Sequence, residues 1–71
     1  MKYLLRTDIV KDEEENEFTV YGMDVLENEK VIMSYPDIYF DKASAEELIK
    51  FCKRNNPTVE VLEILISDIL G

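Results

Sequence analysis

Phe18-Thr19-Val20-Tyr21-Gly22-Met23-Asp24-Val25-Leu26, then Glu27-Asn28-Glu29-Lys30, then Val31-Ile32-Met33-Ser34-Tyr35: this stretch reads as two strands joined by a tight hairpin. β-Branched and aromatic residues crowd both flanks, and they favour the pleated, half-buried surface of a sheet. With Asn28 and Glu29 as the loop residues, Glu27 faces Lys30 and Leu26 faces Val31. Opposite charges then flank the turn and apolar pairs follow it. The strands are therefore antiparallel. Gly22, interior to its strand, points to a bulge or to the close approach of another backbone. Pro36 has no amide hydrogen for a ladder, so the third strand ends there, bends there, or lies at an edge. Asp37-Ile38-Tyr39-Phe40-Asp41 continues extended beyond it.

Upstream, Tyr3-Leu4-Leu5-Arg6-Thr7-Asp8-Ile9-Val10 reads as a further strand, closed by the charged loop Lys11-Asp12-Glu13-Glu14-Glu15-Asn16. Downstream the spacing turns helical at Ser44. Ser44-Ala45-Glu46-Glu47 fits a capping box, in which hydroxyl and carboxylate each satisfy a free backbone amide. Ala45, Leu48, Ile49, Phe51 and Cys52 then share one helical face, with Glu46, Glu47, Lys50, Lys53 and Arg54 on the other. Asn55-Asn56-Pro57 breaks this helix, and Thr58 is placed to cap a second from Val59 to Leu70, closed by Gly71. The apolar residues of the second helix cover roughly 180° of its circumference, where a core stripe needs about 100°. Ile64 stands among Glu60, Glu63, Ser67 and Asp68 on its polar side. The expected architecture is a single α+β domain over residues 1–71, β-β-β-α-α, a three-stranded antiparallel meander with two helices on one face.

A chain this short buries only about 60% of the surface its unfolded form exposes, and a core of that size supplies roughly 3–5 kcal/mol. Cys52 is the only cysteine and histidine is absent, so neither an internal disulfide nor a structural zinc site is available as a staple. Oligomerisation or tight packing remains. Arg6 and Asp8 interrupt the apolar N-terminal run before it reaches the length of a signal peptide core, and no window approaches a membrane span. With a lone free thiol, the expected address is the cytoplasm.

Sixteen acidic residues against eight basic ones give a net charge of −8, which repels phosphate backbones and anionic membranes. This charge keeps a small apolar domain soluble. The sharper alternative is a mimic of nucleic-acid charge that occupies a basic protein groove. The acids are scattered through the chain, which favours the plainer reading.

In the hairpin register, Leu26, Val31, Met33, Val20 and Phe18 fall on one face, interrupted by Asp24 and Gly22, while Tyr21, Met23, Val25 and Ile32 fall on the other. A meander with one face in water should show polar residues there, and here both faces are apolar. Either a bulge at Gly22 or a bend at Pro36 exchanges the faces, or one face meets the helices and the other a partner, or a small apolar pocket lies between sheet and helices. Tyr21, Met23, Val25 and Ile32 on the sheet, with Ile64 on the second helix, are the candidate interface residues. Aromatic and methionine side chains suit such a surface because they supply contact area at low entropic cost.

Catalytic chemistry finds little footing. Cys52 lies mid-helix on the apolar face, with no histidine to serve as its base. Of the carboxylates, Asp37 and Asp41 are the least arbitrary acid–base pair, but the plainer reading makes Asp41 a turn or pre-helix residue. Asp12-Glu13-Glu14-Glu15-Asn16-Glu17 lacks the spacing and central glycine of a calcium loop and reads as a solvated loop. No phosphate-binding glycine motif or nucleophile elbow occurs, and the basic residues are too dispersed for a nucleic-acid patch. No cofactor or metal is expected.

Tyr21-Gly22 in the second strand, Asp37-Ile38-x-x-Asp41 before the first helix and Asp68-Ile69-Leu70 at the end resemble, in their order, a family of short uncharacterised Firmicutes proteins. The family's last helix carries a histidine-leucine and an aspartate-phenylalanine-leucine pattern. Leu62 and Asp68-Ile69-Leu70 match it, and Val61 stands where the histidine belongs. The resemblance implies a small bacterial domain and supplies no activity. The sequence thus leads to a non-enzymatic, acidic protein-interaction module that binds itself or another protein, with a regulator or inhibitor of a basic target as the alternative.

Overall fold

The computed structural model describes Met1–Gly71 as β1 (Lys2–Lys11), β2 (Glu17–Glu27), β3 (Lys30–Tyr39), α1 (Lys42–Asn55) and α2 (Val59–Leu70). The strands form one antiparallel sheet in the order β1-β2-β3. Asn28 (φ 52°) and Glu29 (φ 67°) form the two-residue β2–β3 turn, and Glu27 opposes Lys30 as the charge pattern requires. Positive φ at both positions gives the turn the twist that the flanking strands share.

Two irregularities in β3 decide which side chains the helices cover. The first comes directly after the turn: Leu26 opposes Val31, but Val25 opposes Met33, so Ile32 is an extra residue. Such an insertion reverses the side-chain alternation beyond it. Met33 therefore shares the face of Val25 and Met23, which corrects the face assignment drawn from uninterrupted pairing. The second lies between Met23↔Tyr35 and Tyr21↔Tyr39, where Gly22 alone spans Pro36, Asp37 and Ile38. β3 continues through Pro36 to Tyr39 because this bulge takes the proline out of the ladder.

The helices cover the face bearing Tyr3, Met23 and Val25. These three form the core with Leu48, Ile49 and Cys52 of α1 and Leu62 and Ile66 of α2. Met23 and Val25 are 0 % exposed, and burial of a side chain of this size contributes about 1.5–3 kcal/mol. α1 lies across all three strands, and α2 lies against β3.

α1 begins earlier than the capping-box reading places it. Asp41, not Ser44, is the N-cap, and its carboxylate accepts the Ser44 amide at 2.8 Å. At the other end Asn56 adopts a left-handed conformation (φ 44°) and donates its amide to the Cys52 carbonyl at 2.7 Å. The Asn56 side-chain oxygen accepts the Tyr3 hydroxyl at 3.0 Å, which ties the end of α1 to β1. Thr58 caps α2 by accepting the Val61 amide at 3.2 Å.

Gly22 has no room for a side chain. A β-carbon there would collide with the Tyr35 carbonyl oxygen and lie 2.8 Å from the Pro36 carbonyl carbon. Gly22→Ala is expected to lower stability by about 1–3 kcal/mol or more, as overpacking against backbone does. The midpoint of urea unfolding reads this directly, and an unchanged midpoint would show that the bulge is free to move away.

Candidate functional site

Three surfaces carry side chains beyond what the core uses. The first is the sheet face turned away from the helices. Its centre is polar: Arg6 of β1 reaches Asp8 at 2.7 Å and Asp24 of β2 at 3.4 Å, and donates to the Ser34 hydroxyl of β3 at 2.8 Å. Ser34 in turn donates to Asp24 at 2.5 Å. The register places these residues side by side, with Asp24 opposite both Leu4 and Ser34. The apolar residues of the face are thereby divided. Leu4, Leu26 and Val31 lie toward the β2–β3 turn, and Val10 and Phe18 toward the β1–β2 loop.

The second surface is a groove of 470 Å³ between the helices, lined by Tyr39, Ala43, Leu48, Phe51, Leu65 and Ile69, with Ser44 and Glu47 as its polar members. Phe51, at the margin of the apolar stripe of α1, is 40 % exposed, and Phe40, next in the chain to Tyr39, is 76 % exposed. A concave apolar surface with two polar groups suits a hydrophobic side chain from a partner.

The third is the outer side of α2, where Glu60, Glu63, Ser67 and Asp68 surround Ile64.

The five candidate interface residues are not brought together. Met23 and Val25 are core residues beneath the helices and face no solvent. Tyr21 is half-buried on that same side, opposite Thr7 and Tyr39. Ile32 is exposed at its bulge, and Ile64 is 64 % exposed on α2. An apolar pocket between sheet and helices is one of the three sequence readings. Its lining residues are not among the candidates, because they depend on how α1, α2 and the end of β3 are placed together. Its one sequence signal is the breadth of the apolar surface of α2.

Burial and hydrogen bonding move several titratable groups from their ordinary values. Burial pushes the Cys52 thiol up, away from the thiolate that a nucleophile needs. The Tyr3 phenol is likewise raised, by burial first and then by Cys52. The Tyr35 hydroxyl is buried without a protein partner, and burial, then Glu63, raises its pKa. Asp41 is committed to its cap. Asp12 accepts the amides of Glu14 and Asn16, each at 2.9 Å, and so organises the acidic loop. No group of three or more His, Cys, Asp or Glu side chains is placed to hold a metal ion. No helix is long and apolar enough to cross a membrane.

No family model, curated protein or solved structure matches the chain.

The caps make stability depend on acid. Hydrogen bonds from Ser44, its side chain first and then its amide, hold the Asp41 carboxyl below the usual carboxylate range. A pKa depressed by folding contributes stability above its unfolded value, and that contribution is lost as pH falls through the folded value. Asp41→Asn keeps a capping oxygen but cannot titrate. Its melting temperature is therefore expected to fall less than that of the unmodified chain between about pH 5 and about pH 2. Parallel losses in the two proteins would remove Asp41 as a source of the acid sensitivity.

Proposed function

We propose that the chain is a small acidic protein-interaction module that binds rather than catalyses, with the interhelical groove as its recognition surface. One observation carries this reading: twelve large apolar side chains are exposed, against ten hydrophobic residues buried. Scattered exposed leucines are ordinary, but here Phe51, with Tyr39, Leu65 and Ile69, lines a single concavity. A concave apolar surface with a few polar groups at its margin takes a hydrophobic side chain and fixes its orientation. Glu47 and Ser44 on the rim supply polar groups that fix a partner's orientation.

The net charge of −8 supports the same reading. It keeps a chain with this much apolar exposure dispersed until a partner covers the groove. Tyr39 and Phe51 are aromatic side chains of the kind enriched in the core of interfaces.

Phe51→Glu places a charge in the groove at an exposed position and is expected to leave the fold intact. Proteins cross-linked to the unmodified chain in cells should be lost from this variant and retained by Ile64→Glu, which alters the acidic side of α2. Identical partner sets for all three proteins would remove the groove as the recognition surface.

A further inference from the structure

The two edges of the sheet differ in kind. β3 carries Pro36 and two bulges, the features that stop an edge strand from pairing with another chain. β1 has none of these: it runs ten residues, Lys2–Lys11, without proline, glycine or irregularity in its pairing with β2. The Asp12 amide donates to the Asn16 carbonyl at 3.1 Å, in register with Lys11↔Glu17. Backbone groups alternate sides along a strand, so the even-numbered residues of β1 turn theirs toward β2. Tyr3, Leu5, Thr7, Ile9 and Lys11 turn theirs toward the open edge.

We infer that two copies of the chain pair through this edge, β1 against β1, antiparallel about a two-fold axis at Thr7. The inference rests on the interaction-module reading and names a partner for it, leaving the interhelical groove of each copy free. A two-fold axis keeps opposed residues on the same face of the joined sheet, so only registers shifted by whole residue pairs are available.

With Thr7 at the axis, Arg6 opposes Asp8 of the second copy, and Asp8 opposes its Arg6. Leu5 then opposes Ile9, and Leu4 opposes Val10. A shift by one step either way sets Arg6 against Arg6 or Asp8 against Asp8, and like charges directly opposite are destabilising. The Arg6–Asp8 pair already formed within each chain becomes half of a ring of four alternating charges.

Two further features meet in this register. Ile9, 67 % exposed, comes opposite Leu5, at the mouth of a 400 Å³ groove between β1 and α1 lined by Tyr3, Leu5 and Ile49. The acidic hairpin follows Lys11 past Tyr3 of the other copy. Its five carboxylates, from Asp12 to Glu17, come beside Lys2, which Asp12 opposes in this register, and beside Lys53 at the same end of β1. Lys53 also lines the groove, with Lys42, Lys50 and Glu46. The most acidic segment of one copy thus lands beside lysines of the other.

Sedimentation equilibrium on the full chain tests the pairing. The unmodified protein should form a dimer that weakens with salt, because part of the contact is screened charge. Asp8→Arg sets arginine against Arg6 at both ends of the axis and should weaken the dimer about tenfold. Adding Arg6→Asp to it should restore association, since opposite charges again face each other across the axis. Thr7→Pro removes an amide that points to the open edge and should give a folded monomer by circular dichroism. A dimer as strong in Asp8→Arg as in the unmodified chain overturns the β1 pairing, as does a dimeric, folded Thr7→Pro, and self-association through another surface then stands. A chain monomeric at every concentration also overturns it, while the groove remains to be judged by partner loss in Phe51→Glu.

Discussion

At Gly22 the backbone of β3 crosses β2 so closely that a hydrogen atom is all the position can hold. The three residues Pro36, Asp37 and Ile38 loop out opposite this one glycine, and β3 resumes pairing at Tyr39. That contact sets where the third strand ends and hence where Asp41 begins α1. Tyr39 is delivered by the same bulge to the groove that Phe51, Leu65 and Ile69 complete. The site and the sheet irregularity are one piece of geometry. Without the close approach, Pro36 would stand in the ladder, where it has no hydrogen to give.

Much of this architecture is legible in the chain because the signals are local. The turn at Asn28-Glu29, the flanking Glu27 and Lys30, the Thr58 cap and the limits of α2 all depend on neighbours within a few positions. The insertion at Ile32 has no such marker. No glycine or proline flags it, and since both faces of the hairpin are apolar, nothing in the pattern reveals that Met33 has changed sides. Met23 and Val25 consequently read as surface residues when they are the centre of the core. The start of α1 is misplaced for a different reason. Ser44 fits a capping pattern, but Asp41, three positions earlier, holds the free amide. The lining of the groove is harder still, because it depends on the angle at which two consecutive helices leave the end of β3, which no local pattern sets.

Charge is unevenly distributed despite the overall acidity. Acidic residues collect in the β1–β2 loop and on the outer side of α2. Lys42, Lys50 and Lys53, with Glu46 among them, gather along α1 beside the edge of β1. Two basic residues close α1, where the negative end of the helix dipole favours them. A molecule of net charge −8 thus keeps a locally positive flank, and the polar cluster of Arg6, Asp8, Asp24 and Ser34 crosses all three strands on the other side of the sheet.

The molecule is elongated, with extents of 39 × 26 × 20 Å, and its buried residues of β1 and β2 do not extend beyond Tyr3 on one strand or Val20 on the other. From Ile9 through Thr19 every side chain is exposed, so the ladder there is held by its own backbone bonds, the Asp12-centred loop and the solvent-exposed Lys11–Glu17 ion pair. Such a segment opens without disturbing the packed interior. Amide protons should therefore exchange with solvent in a gradient along the hairpin, fastest at its far end and slowest where Tyr3 meets Val25. The ribbon is built to open from its tip, as a zip does, with the helices left seated.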